Sequence, residues 1–146
     1  MCVQNPVALS ELSDKISTAL AEHEEVVCAY LFGSYLHSPE QAQDMDIGMY
    51  IDRKKTGGDI LPATVRLFDS LAEALEQRNI DVVPLNDASH ALRHEVISTG
   101  LCLYERDQEE RVDFETKSER AYFDFLPRLK KFDEMTVQFF KESHHA

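Results

Sequence analysis

The sequence predicts a single α/β domain, and three observations carry that expectation. Short β-favouring apolar runs at 26–32, 44–51 and 79–85 alternate with stretches whose apolar residues recur at helical spacing. The chain has 146 residues, near the usual size of one domain, and 43% of them are hydrophobic, enough for a sizeable core. No internal repeat or low-complexity segment interrupts it.

The elements follow in order. Asn5 and Pro6 suit the start of a first helix, because proline has no N–H to lose in the opening turn, and Leu9, Leu12, Ile16 and Leu20 keep helical spacing. The run 26–32 (VVCAYLF) is continuously apolar, as a strand buried on both faces should be. Gly33 ends it. The run 44–51 (DMDIGMYI) reads as a second strand, in which residues two apart point to one side. Gly57 and Gly58 mark a loop, and Leu61, Val65, Phe68, Ala72 and Leu75 mark a second amphipathic helix. A third strand is expected at 79–85 (NIDVVPL), with an acid near its start. Asp87 suits the cap of a third helix, Gly100 its end, and 101–104 a short further strand. Beyond 107 charge is dense, and Pro127 is expected to divide two helical pieces. There Phe125, Leu129, Phe132 and Phe139 or Phe140 form an apolar stripe of the kind that more often packs into a core than docks a partner.

Chemistry concentrates in the turn after the first of these strands and in the second and third strands. A glycine at the end of a strand lets the chain turn sharply and lets backbone N–H groups approach a phosphate, and the Ser34 hydroxyl beside Gly33 can donate to a phosphate oxygen. Asp44 and Asp46, two residues apart, place two negative charges on one side, where they repel unless a cation neutralises them. Magnesium suits such a pair, since it takes hard oxygen ligands and is usually held by one or two carboxylates plus substrate phosphates. Asp81 supplies a third carboxylate if its strand lies beside that of Asp46. Taken singly, each acid could be a solvated turn or edge charge; taken as an ordered set they point to metal-assisted phosphate chemistry.

The arrangement Gly33-Ser34, Asp44-x-Asp46 and a distant strand Asp81 resembles the DNA polymerase β-like nucleotidyltransferase superfamily in its minimal form. The run 81–88 (DVVPLNDA), then 91–96 (ALRHEV), Gly100, 103–107 (LYERD) and the phenylalanine-rich tail are similar to the antitoxins of HEPN-MNT toxin–antitoxin pairs, over about 26–132. The resemblance implies the polymerase β-like fold, a short mixed sheet flanked by helices, with a catalytic core over about 1–106 and a helical extension over 107–146. It implies transfer of AMP from ATP to a tyrosine hydroxyl of a HEPN ribonuclease toxin, which neutralises it. On the matching positions, Gly33 and Ser34 would hold the triphosphate. Asp44, Asp46 and Asp81 would bind two Mg2+ ions, Asp81 beside the attacking hydroxyl. One departure stands out: relatives often carry Ala-Arg-Gly where this chain has Leu36-His37-Ser38. Histidine is a poorer permanent cation, with an unperturbed pKa near ~6.5, so Arg53, Lys54, Lys55 and Arg93 are alternative phosphate contacts. Two other functions use the same residues or the same partner: transfer to a small molecule such as an aminoglycoside, and a non-catalytic antitoxin acting by contact alone.

The net charge of -12 argues against broad attraction to nucleic acid or anionic lipid and suits a hetero-oligomer with a basic partner. Cys2, Cys28 and Cys102 form no C-x-x-C pair, and reduced thiols in a cytoplasmic protein are expected. Neither a signal-peptide pattern nor a membrane-length apolar run is present. His90 and His94 stand four apart without the rest of a metal motif, so solvated or hydrogen-bonding histidines are expected there. Tyr30 and Tyr104 are expected to pack rather than accept a nucleotide.

Overall fold

The computed structural model describes residues 6–39 and 44–143. Its elements are α1 (Pro6–Leu20), β1 (Val26–Phe32), α2 (Ser34–His37), β2 (Met45–Ile51), α3 (Leu61–Leu75), β3 (Ile80–Pro84), α4 (His90–Thr99), β4 (Leu101–Glu105) and α5 (Gln108–Ser143). Short 3-10 turns cover Arg53–Lys55 and Leu85–Asp87. The four strands form one sheet in the order β3-β2-β1-β4. It is mixed: β1 pairs antiparallel with β2 and β4, and β2 pairs parallel with β3.

Because β1 is flanked on both sides and covered on both faces, its run of apolar residues is almost wholly buried. One face packs under α1 and α3, where Ile16, Leu20, Leu31, Ile47, Met49, Leu67 and Leu71 join one core. The other carries Cys28, Tyr30, Leu85, Val96 and Phe114 beneath α4 and the first part of α5, with Phe114 stacked on Tyr50 at 4.1 Å between ring centroids. Tyr30 is buried there and donates its hydroxyl to Glu115 at 3.0 Å, which removes it as a nucleotide acceptor. Burial, aided by the neighbouring Cys28 and Glu115, holds the Tyr30 phenol far above its usual range. Burial likewise pushes the Cys28 thiol up to about 12, so Cys28 is a packed, inert thiol, while Cys102 is exposed. His94 stacks on Tyr122 at 3.9 Å and meets Glu119 at 2.9 Å, and His90 lies against Phe125: both histidines pack.

Several boundaries differ from expectation for identifiable reasons. Pro6 does begin α1, whereas Asn5 lies outside the described residues, as does Cys2. β2 begins at Met45, so Asp44 stands in the bend before the strand rather than on it. In α3 the buried stripe is Ala63, Leu67, Leu71 and Ala72; Leu61 and Val65 are exposed, because the small Ala63 lets the helix sit down on the sheet along the neighbouring face. Ser89, not Asp87, caps α4 by accepting from the Leu92 N–H, while Asp87 pairs with Arg53. Gly100 ends α4 as expected, and a Cβ there would meet the Val96 carbonyl oxygen at 2.4 Å.

Pro127 does not divide the C-terminal region: α5 runs through it as one helix of 36 residues. A proline inside a helix removes one N–H, here the partner of the Phe123 carbonyl, and on an exposed stretch water can replace it. The expected apolar stripe is only partly used. Phe125 and Leu129 are half-buried, Phe132 is 65% exposed, and the side chains of Phe139 and Phe140 lie outside those described. No helix among the described residues is long and apolar enough to cross a membrane.

At the end of β3 the chain leaves the sheet, and Asn86 takes over as a surrogate strand. Its Oδ1 accepts from the Ile51 N–H at 3.0 Å and its Nδ2 donates to the Ile51 carbonyl at 2.7 Å. Ile51 is fully buried, so Asn86→Ala leaves two main-chain groups unmet. We expect a loss of about 1–3 kcal/mol in urea unfolding, with an unchanged m-value.

Candidate active site

Gly33, the acids and their neighbours meet at one end of the sheet because three strand ends coincide there. Asp46, the second residue of β2, is paired on one side with Phe32 of β1 and on the other with Asp81 of β3. Paired residues share a face, so Asp46 and Asp81 point the same way from adjacent strands, about 4.8 Å apart in the hydrogen-bonding direction. That is the face covered elsewhere by α4 and α5. Asp44 and Asp81 are exposed and Asp46 is half-buried.

The Asp46 carboxyl is held above its usual pKa, first by its own burial and then by the charges of Asp81 and Asp44. Three acids thus act on one another electrostatically. Among the described residues no three His, Cys, Asp or Glu side chains form a ready-made metal cage. Magnesium does not require one, since substrate phosphates and water complete its shell. The hard-oxygen donor set and the mutual repulsion at Asp46 fit a divalent cation.

Gly33 has φ 77° and ψ -156°, a conformation open to glycine and costly for other residues. It is required for space as well: a Cβ at Gly33 would lie 2.5 Å from Asp46 Oδ2. The turn therefore rests directly against the central carboxylate and then opens into α2, whose first amides have no partner within the helix. Ser34 begins that helix and is exposed; Leu36 anchors it in the core; His37, at its other end, is exposed.

The alternative phosphate contacts are not brought here. Arg53 follows the far end of β2, and Asp46 to Ile51 alone spans five residues, about 17 Å at ~3.3 Å each. Arg53 is also committed to Asp87, and Arg93 donates to the Asn86 carbonyl at 2.7 Å. Arg53, Lys54 and Arg93 line a separate cleft with Tyr50 and Asp52.

One residue of the site region went unmarked in the sequence. Gly48, two residues after Asp46 and on its face, lets Phe32 and Leu85 close over the strand: an added Cβ would stand 3.3 Å from Phe32 Cε1 and 3.1 Å from Leu85 Cδ2. A glycine inside an otherwise apolar strand was the available signal.

Residues 14–109 match the polymerase beta nucleotidyltransferase family. The chain belongs to that family. No curated protein matches it. Among solved structures, this nucleotidyltransferase is similar to a chain of the complex between a tri-AMPylated Shewanella oneidensis HEPN toxin and its MNT antitoxin. The identity is 26%, with 87% of this chain and 98% of the other covered and a TM-score of 0.63. It is similar at 26% identity to a chain of a toxin–antitoxin structure with AMP-PNP, covering 85% of this chain and 98% of that one, with a TM-score of 0.64. A mutant MntA toxin–antitoxin complex gives 25% identity, 85% and 98% coverage and a TM-score of 0.65.

Proposed function

We propose that this nucleotidyltransferase is the antitoxin of a toxin–antitoxin pair and transfers AMP from ATP to a tyrosine hydroxyl of a cognate HEPN ribonuclease toxin. The observation that carries the reading is the likeness, over nearly the whole length of the other chain, to a structure whose toxin is tri-AMPylated, joined to the family match over 14–109. The likeness to a structure with AMP-PNP supports an adenine nucleotide as donor.

In this reading the Gly33-Ser34 turn holds the triphosphate, backbone amides and the Ser34 hydroxyl donating to phosphate oxygens. Asp44, Asp46 and Asp81 hold Mg2+, two ions in the full site, together with those oxygens. The bound ions supply neutralisation of phosphoryl charge and a lowered pKa for the attacking hydroxyl. Asp81, outermost of the three, accepts the hydroxyl proton. Gly33 keeps the phosphate turn against Asp46, so donor and carboxylates share one small volume.

The test is direct. The purified chain, Mg2+, ATP labelled at the α-phosphate and the purified candidate toxin should give a labelled toxin and restore growth when the pair is expressed together. A stable complex without label, with Asp44→Asn protecting cells as well as wild type, would replace catalysis by simple contact.

A further inference from the structure

Asp46 has a defined neighbour on either side. Toward β1 stands the Gly33 turn, with Phe32 paired to Asp46; toward β3 stands Asp81, in register with it. Phosphoryl transfer places the attacking and leaving oxygens roughly in line on opposite sides of phosphorus. With the triphosphate on the Gly33-Ser34 turn, pyrophosphate departs on the β1 side. The attacking hydroxyl must then enter from the β3 side, and β3 is the last strand of the sheet.

The outer edge of β3 is open. Among the described residues, no side chain or loop bonds to the backbone of Ile80–Pro84, whose only main-chain partner is β2. The opposite edge is treated differently: the Leu103 carbonyl of β4 accepts from the Ser17 hydroxyl at 2.9 Å, and that of Tyr104 from the Cys102 thiol. β3 has no bulge and no lysine; its guards are its shortness, the Asp81 charge and Pro84 at its end, and they leave the amides of Ile80–Val83 able to pair. Val82 and Val83 are half-buried, leaving apolar surface beside the open amides.

We propose that the acceptor segment of the partner protein adds to β3 as an extended strand, and that this main-chain pairing delivers its hydroxyl to Asp81. The proposal rests on the adenylyltransferase reading. Strand addition supplies affinity through backbone hydrogen bonds, so the acceptor needs little beyond an extended stretch and a correctly placed hydroxyl. A residue opposite Asp81 has its Cβ about 4.5–5.5 Å away, and a diagonal one about 7–8 Å. A short serine or threonine side chain reaches from the first position, a tyrosine from the second. The hydroxyl oxygen then forms a bond to the α-phosphorus as the bridging bond to the β-phosphate breaks. The electron pair leaves on pyrophosphate, and the proton passes to Asp81 and on to water.

Residue-resolved amide exchange on the full chain, with AMP-PNP and Mg2+, before and after addition of the toxin, tests this. Parallel pairing turns alternate residues of β3 outward, so alternate amides within Ile80–Val83 should slow at least tenfold while those bonded to β2 stay unchanged. A peptide spanning the labelled residue of the toxin gives a second readout. N-methylation of its amides one at a time should abolish labelling with a period of two. Labelled toxin with unprotected β3 amides, or loss without that period, overturns strand addition and leaves the activity standing. Absence of any label in the wild-type reaction overturns the functional reading itself.

Discussion

Asp46→Asn should lower adenylyl transfer at least about 10²–10³-fold and, at the same time, make the metal-free protein more stable. The first effect follows from removing the central carboxylate of the site, a loss on the scale of deleting one electrostatic group that acts on the transferring phosphate. The second follows from the direction in which the fold moves this carboxyl. Burial, Asp81 and Asp44 raise its pKa, so the folded protein binds that proton more readily than the unfolded chain. Stability is then lost as pH rises from the ordinary carboxylate range through the raised value, and it is kept below that range. Asparagine carries no charge to repel. The melting temperature of Asp46→Asn should therefore match that of the wild type at low pH and exceed it increasingly toward neutrality. Adding Mg2+ and AMP-PNP should reverse the order, because the wild type, with all three carboxylates, gains more from the cation than the variant does. Scanning calorimetry from pH 4 to pH 8 measures both. A variant no more stable than wild type at neutral pH, or one that still labels the toxin, would contradict the assigned role.

Gly33→Ala should be nearly as damaging, through a different route. A non-glycine residue in this backbone region costs on the order of 1–3 kcal/mol, and the added methyl would also stand 2.5 Å from Asp46 Oδ2. Strand β1 is pinned on both sides, so relief must come from the turn or from the carboxylate, and either movement spoils the site. Calorimetric titration with AMP-PNP should show weakened donor binding and the labelling assay little transfer, with circular dichroism unchanged. Since Gly33 and Asp46 act through one contact, the double variant should be much less impaired than the product of the single losses. Wild-type donor binding by Gly33→Ala would detach the turn from the phosphates.

The sequence made the strands and the glycine turn readable because their signals are local. VVCAYLF has no polar position, and Gly33 follows it directly. The pairing of Asp46 with Asp81 was conditional, since register is set by contacts far apart in the chain. The separation of Arg53 from the carboxylates depends on strand direction: Asp46 opens β2 and Arg53 follows its end. Asp87 and Ser89 are both good capping residues, and only the engagement of Asp87 with Arg53 decides between them. Leu61 and Val65 fit a helical stripe as well as Leu67 and Leu71 do; the sheet selects the stripe that small Ala63 lets approach. Asn86 gave no sign of its part, because a side chain that imitates a peptide group looks like any loop asparagine.

The unbroken passage of α5 through Pro127 has a consequence for how the molecule moves through solvent. At 1.5 Å per residue a 36-residue helix is about 54 Å long, while a compact chain of this size has a radius of gyration of only about 15 Å. Such a rod cannot be enclosed by so small a body. A globule with such a projecting helix is expected to show more drag than its mass suggests, and whatever grips the helix can turn the whole domain.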